Sequence, residues 1–398
     1  MEKITSCAFV YHKAGDVRRE EKTIEWGETD LLVKVLASAR CGTDKTIFYK
    51  GHPKVDQHTP IILGHELVGE IVGVGKQVNA LTQGIGYKAG STLTEDYLDF
   101  KEGEKVTVQS RIARYQNGLM LTTDPITILS FFIDGGYSQY MKIPRELIQS
   151  GSVMRIPSGI SDEEGALVEP AACALESIFN TPHSVGVNSD GTHLFHSGVK
   201  QDGLACVIGS GTVSMIYALL CRAKGSREVY LLVRSEQKAA AARNLLGQGF
   251  TVYTIPKYDD QPLDQKLAIE RDIATALTER TQGHLFDDVI SACASPDAQR
   301  LMLELYNPVG YAVGACFGGT HALVDQANID QNHYRMAKTI GTSGCSNRSM
   351  EVIIDMLAQK TLSFKGLTAG KRYTFRTDPQ EFFTTTEEGL KPVLYAWE

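Results

Sequence analysis

The sequence lacks several features that would fix its class at once. It has no C-x-x-C pair: its eight cysteines, Cys7, Cys41, Cys173, Cys206, Cys221, Cys293, Cys316 and Cys345, are scattered along 398 residues. In a large chain such scatter argues against a disulfide framework and for small buried hydrophobes, with Cys41 set apart by its neighbours. It has no basic excess. The net charge of −7 leaves no electrostatic footprint for nucleic acid. No apolar run reaches the roughly 20 residues that a membrane helix needs. The first ten residues carry Glu2 and Lys3 without a long apolar core, so no signal peptide is read there and a cytoplasmic location is expected. There is no internal repeat and no low-complexity tract. What remains is the composition of an ordinary soluble enzyme, long enough for two domains.

Two patterns divide the chain. Up to about residue 170, short β-like runs separated by glycines (Leu31–Leu36, Leu67–Val74, Lys105–Gln109) suit a small β-barrel. From about 203 to 345 the pattern alternates. Strands are predicted at Leu204–Ile208, Glu228–Val233, Thr251–Ile255, Asp288–Ala292 and Val309–Val313. Helices are predicted at Thr212–Ala223, Glu236–Leu246, Leu263–Arg280 and Pro296–Tyr306. Such alternation implies βαβ units and a parallel sheet covered on both faces. After a helix at Ser349–Gln359 the tail is mixed and is expected to pack on the first domain. Asn79–Tyr97 and Thr181–Gln201 read as insertions or loops.

The run Val207-Ile208-Gly209-Ser210-Gly211-Thr212-Val213-Ser214 follows a predicted strand and opens a predicted helix. Gly209 permits the tight turn, and Gly211 lets backbone approach a pyrophosphate at the positive helix end. Ser210, Thr212 and Val213 complete the expected cofactor loop. The next strand ends at Arg234, followed by Ser235 and, one turn on, Lys238. An NAD site usually has a carboxylate there for the ribose hydroxyls, whereas a guanidinium suits a 2′-phosphate. NADP is therefore expected. NAD is the alternative, kept open by Glu236.

Three further clusters carry metal-ligand chemistry: Cys41-Gly42-Thr43-Asp44, Gly64-His65-Glu66, and Glu169-Pro170. Zinc takes thiolate, imidazole and carboxylate, and a catalytic site keeps a position open. Cys41, His65 and Glu66, with Glu169 as fourth ligand or outer carboxylate, make such a set. Neighbours on a strand point to opposite faces, so His65 and Glu66 can share an ion only in a turn, which Gly64 and Gly69 allow. His12, His58, His193, His196 and His284 are read as ordinary surface or core groups, and His52 and His333 are left undecided.

The G-H-E-x-x-G-x5-G-x-x-V string from Gly64 to Val78 resembles the zinc signature of the medium-chain dehydrogenase/reductase family, and Cys41, Glu169 and Gly103-Glu104-Lys105-Val106 stand where that family has matching residues. The resemblance implies an α/β protein of two parts. A GroES-like β-barrel catalytic domain (1–175 and 346–398) would enclose an inserted Rossmann domain with a doubly wound parallel sheet (176–345). It implies hydride transfer between a nicotinamide and an alcohol whose oxygen is polarised by zinc. Thr43 would receive the alcohol proton, its simpler role being to cap the helix before Lys45–Lys50. Asp44 would be either a partner behind the ligands or a surface cap. Ser110–Asp134 holds no cysteine, so one catalytic zinc and no structural zinc is expected. The relay histidine that many alcohol dehydrogenases carry is replaced by Thr46. With Glu66 and Glu169, the pattern looks like the sorbitol dehydrogenase branch. The stretches Ala327–Asp330 and Gly341–Gly344 weakly resemble sugar-phosphate reductases, while the cations Arg111, Arg114, Arg348 and Lys371 are too dispersed to mark a phosphate site. The expected substrate is a polyol, sugar alcohol or sugar phosphate, with a homodimer or homotetramer as the assembly. The alternatives are an L-threonine-type amino-alcohol dehydrogenase and a non-catalytic cofactor-binding protein.

Overall fold

The structure is a computed structural model. It describes residues 1–82, 99–111, 113–116, 119–123, 128–316, 324, 326–386 and 390–398. Most of the Asn79–Tyr97 insertion therefore lies outside the described residues. The chain forms two compact units, Met1–Ala172 with Cys345–Glu398, and Cys173–Gly344.

The first unit is built from antiparallel strands. Glu2–Lys13 and Asp16–Trp26 form a long hairpin, and Ile61–Ile62 joins the other edge of Glu2–Lys13. In the main sheet Val153–Arg155, Lys105–Val108, Glu66–Val74, Leu31–Ala39 and Val393–Tyr395 lie side by side, with Tyr140–Ile143 also paired to Leu31–Ala39. The C-terminal segment thus closes the sheet, Tyr395 opposite Ala37. The helix Pro379–Thr384 adds Phe382 and Phe383 to the core. Phe9 meets Phe375 edge-on at 5.0 Å, and Tyr137 meets Phe382 at 5.1 Å. Each such buried ring contributes about 1.5–3 kcal/mol, so the tail stabilises the unit rather than decorating it.

The second unit carries a six-stranded parallel sheet in the order Phe250–Thr254, Glu228–Val233, Leu204–Ile208, Asp288–Ser291, Val313–Cys316, Lys338–Gly341. Every residue of Leu204–Ile208 is buried, as a strand covered on both faces requires. Counting these strands in chain order gives 3-2-1-4-5-6, the doubly wound arrangement that opens a crevice where the order reverses. Three expectations need correction. The predicted strand Val309–Val313 starts only at Val313. Asn307 Oδ1 accepts from the Val309 amide at 2.8 Å, and Gly310 (φ +106°) and Tyr311 (φ +64°) are left-handed, so that stretch is a turn. The sixth strand, Lys338–Gly341, was not anticipated. Within Thr181–Gln201, read as a loop, Pro182–Val187 and His193–Ser197 pair as an antiparallel hairpin.

Candidate metal and cofactor sites

The first unit gathers Cys41, His65 and Glu66 so that one ligand atom of each lies within 4.8 Å of the others. Cys41 is held by helix geometry. It is the N-cap of Gly42–Lys50, its Sγ accepting from the Thr43 amide at 3.5 Å, while Asp44 Oδ2 accepts from the Cys41 amide at 3.2 Å. The cap is thus Cys41, not Thr43. Thr43 lies in the first turn with an exposed side chain, and Thr46 Oγ1 bonds the Gly42 carbonyl.

His65 sits just before the strand Glu66–Val74, and Gly64 supplies the turn with φ +98°. A Cβ at Gly64 would come within 2.7 Å of the Tyr137 ring, so both backbone angle and space require glycine. Because His65 precedes the strand, the alternation that would separate it from Glu66 does not apply.

Behind the ligands stands a buried polar group. Asp44 is fully buried, and the Tyr137 hydroxyl donates to its Oδ2 at 2.6 Å. Its Oδ1 lies 3.6 Å from His65 Nδ1 and faces the ring without a normal hydrogen bond. Burial alone pushes the His65 pKa down, but the charges of Asp44 and Cys41 outweigh it and hold the ring well above the usual histidine range. Asp44 is therefore a buried partner of the imidazole that also closes the helix N-terminus through its bond to the Cys41 amide, and it does not lie on the surface.

Glu66 is not a free carboxylate. Lys391, 7% exposed, donates to both of its oxygens, Oε1 at 2.5 Å. Burial lowers the ammonium pKa, yet Glu66 together with the charges of Cys41 and Glu169 more than offsets this and holds Lys391 above the usual lysine value. Sequence reasoning missed Lys391. The signal that could have found it is a lone lysine within the apolar run Leu390–Trp397. Glu169 is 6% exposed and accepts from Ser110 Oγ at 3.0 Å. It falls outside the three-residue group, but its charge acts on His65, Glu66 and Lys391. A thiol, an imidazole and a carboxylate in one buried cluster, with carboxylates oriented behind them, are a donor set that fits zinc.

The second unit places the fingerprint at the reversal of strand order. Gly209 follows Leu204–Ile208 with φ +146°, where a Cβ would meet Ser214 Oγ at 2.3 Å, and Gly211 is the N-cap of Thr212–Ala223. Beside this loop, Gly209, Ser210, Leu232, Arg234, Tyr258 and Asp259 are among the residues lining a pocket. Lys238 Nζ donates to Ser210 Oγ at 3.1 Å. Ser235 caps the helix Glu236–Leu245, accepting from the Lys238 amide. Arg234 is ion-paired to Asp259. Glu236, the residue that kept NAD open, bonds Arg243 and Thr254 instead.

Of the other histidines, His52 caps the helix Pro53–Asp56, while His12 and His284 bond Glu20 and Asn307. His183, given no reading from the sequence, is 3% exposed and bonds Asp288 at 2.7 Å. Among the described residues no helix is long and apolar enough to cross a membrane.

Residues 27–157 match the alcohol dehydrogenase GroES-like domain. Over 295 residues the chain is 26% identical to L-threonine 3-dehydrogenase of Pectobacterium carotovorum, covering 73% of this chain and 70% of the relative. The 2R,3R-butanediol dehydrogenase of Bacillus subtilis shares the fold with a TM-score of 0.73 at 19% identity, covering 98% of this chain and 99% of that one. Galactitol-1-phosphate dehydrogenase of Escherichia coli does so with a TM-score of 0.69 at 19% identity, covering 98% and 99%. Sequence match, fold likeness and zinc-competent cluster agree: the chain carries an alcohol dehydrogenase GroES-like domain, and its likenesses together indicate a zinc-type medium-chain dehydrogenase that oxidises or reduces an alcohol CH–OH group with a nicotinamide cofactor.

Proposed function

We propose that this protein transfers a hydride between NADP and the secondary alcohol or ketone of a polyol, sugar alcohol or sugar phosphate, using one catalytic zinc and no structural zinc. The observation that carries the reading is the convergence of half-buried Cys41 with buried His65 and Glu66, their ligand atoms within 4.8 Å of one another. Zinc bound there would supply Lewis acidity, stabilising an alkoxide near neutral pH. Cys41 and His65 are the ligands with the fewest competing bonds. Lys391 pairs with both oxygens of Glu66, whose carboxyl burial nonetheless pushes above the usual carboxylate range, so Glu66 can either ligate or remain paired. Glu169, anchored by Ser110, is the fourth carboxylate, as ligand or as partner of a bound water. The Thr43 hydroxyl takes the substrate proton and passes it outward. Asp44 and Tyr137 orient His65 from behind.

On the cofactor side, Gly209 to Val213 receive the pyrophosphate at the start of the helix Thr212–Ala223. Arg234, Ser235 and Lys238 bring two cations and a hydroxyl to the adenosine ribose, which favours a 2′-phosphate. A threonine-type activity is the second reading, favoured by the 26% identity to L-threonine 3-dehydrogenase. The proposed assembly is a homodimer or homotetramer, to be read by light scattering on the eluted enzyme.

The deciding experiment is metal analysis followed by a dehydrogenase screen over polyols, sugar phosphates and threonine with both cofactors. One zinc per chain is expected, with Cys41→Ser losing both metal and turnover. Turnover of threonine and of no sugar alcohol would overturn the substrate class. Unchanged metal content and activity in Cys41→Ser would overturn the zinc chemistry.

A further inference from the structure

The strand Glu228–Val233 ends without a carboxylate, and the acidic residue nearest in sequence, Glu236, is taken up by Arg243 and Thr254. The pocket nevertheless has an acid beside Arg234. It is Asp259, from the segment after the neighbouring strand Phe250–Thr254. Asp259 and Arg234 are ion-paired with side chains 35% and 48% exposed, so both can meet a ligand entering that pocket. Ser210, bonded by Lys238, lines the same pocket.

We infer that Asp259 is the residue that sets the balance between NADP and NAD at this site. The inference rests on the reading of this pocket as the adenosine end of the cofactor site. A carboxylate accepts hydrogen bonds from a ribose 2′-hydroxyl but repels a 2′-phosphate carrying up to two negative charges. Asp259 also occupies the guanidinium that the phosphate would use. A cofactor with a 2′-phosphate must open the Arg234–Asp259 pair or share it. A cofactor with a free hydroxyl can leave the pair closed and bond to the carboxylate. The arginine invites NADP, and the aspartate reduces its advantage. Lys238 tips the pocket back toward positive charge, since Arg234 alone is neutralised by its partner. The pair is solvent-exposed and screened, so the effect is moderate: removing the Asp259 charge should shift the affinity ratio about three- to tenfold.

The test uses the full-length holoenzyme and two probes that carry only the adenosine end, 2′,5′-ADP and 5′-AMP, titrated calorimetrically, with NADPH and NADH followed by fluorescence. Asp259→Asn and Asp259→Ser should each raise the 2′-phosphate to 2′-hydroxyl affinity ratio at least about threefold, with thermal melts close to the parent. A smaller rise in folded protein, or a fall, overturns the inference; a fall would mean that Asp259 positions Arg234 for the phosphate. Arg234→Gln reports separately on the cofactor reading. If the parent binds NADH more tightly and Arg234→Gln leaves NADPH unchanged, the NADP preference fails, while the ratio in the Asp259 variants still decides the role of Asp259.

Discussion

Removing Lys391 should damage the protein more than any other single substitution near the cluster. Its ammonium is 7% exposed and lies against a Glu66 carboxylate that is 2% exposed. Lys391→Met keeps most of the side-chain volume and deletes the charge. Glu66 is then left buried without its cation, a loss of about 3–5 kcal/mol. For a unit of this size about 1 kcal/mol moves the midpoint by roughly 2–4 °C, so melting should fall by about 6–20 °C. The double variant Lys391→Met, Glu66→Met removes both charges and should recover most of that loss, because a well-packed apolar pair replaces a buried ionic one at little cost. The assay is calorimetry on metal-free and zinc-loaded protein, with zinc content measured beside it. A single variant melting within about 2 °C of the parent would refute the reasoning. So would a double variant no better than the single, since the penalty would then come from lost packing and not from an orphaned carboxylate.

Tyr137→Phe deletes the hydrogen bond to Asp44 and keeps the ring; stability should fall by about 1.5–3 kcal/mol by denaturant titration, and zinc affinity by chelator competition should fall roughly tenfold or more if Asp44 orients His65 as proposed. In the second unit, Asp287 is held below the usual carboxylate range: burial pushes it up, but Lys200, the Leu204 amide and Asn307 more than reverse this. Its native pKa is depressed, so it contributes stability above about pH 4, the unfolded value, and that contribution is lost as pH falls through the native pKa. Asp287→Asn should be less stable at pH 7 and flatten the decline below pH 4, read as denaturation midpoints against pH. Gly209→Ala places a Cβ where Ser214 Oγ stands and strains a φ of +146°. NADPH binding should weaken about tenfold or more by fluorescence titration while zinc content holds.

What could be read from the sequence divides by the range of the interaction that encodes it. Leu204–Ile208 announces itself because five consecutive buried residues are a local pattern, and Gly209 because a tight turn after a strand needs glycine. The same locality gave the turn at Gly64 that lets His65 and Glu66 share a site. Where two local signals competed, reading failed by a few residues. Val309 to Val313 is apolar enough for a strand, but Asn307-Pro308 and the left-handed Gly310 and Tyr311 turn the chain first. Cys41 was read as a candidate ligand and so overlooked as a helix cap, although its Sγ accepts from the Thr43 amide. The remaining gaps are long-range. Lys391 meets Glu66 from 325 positions away, and Tyr137 meets Asp44 from 93, so neither pairing leaves a trace in periodicity or spacing. Asp259 follows a different strand from the one that Arg234 follows, 25 positions distant. Each of these three acts on a residue that the sequence did identify: Lys391 on Glu66, Tyr137 through Asp44 on His65, Asp259 on Arg234. A motif names the atoms that can meet a metal or a cofactor, while the fold decides which charges stand behind them. Affinity and selectivity therefore depend on residues that no motif contains.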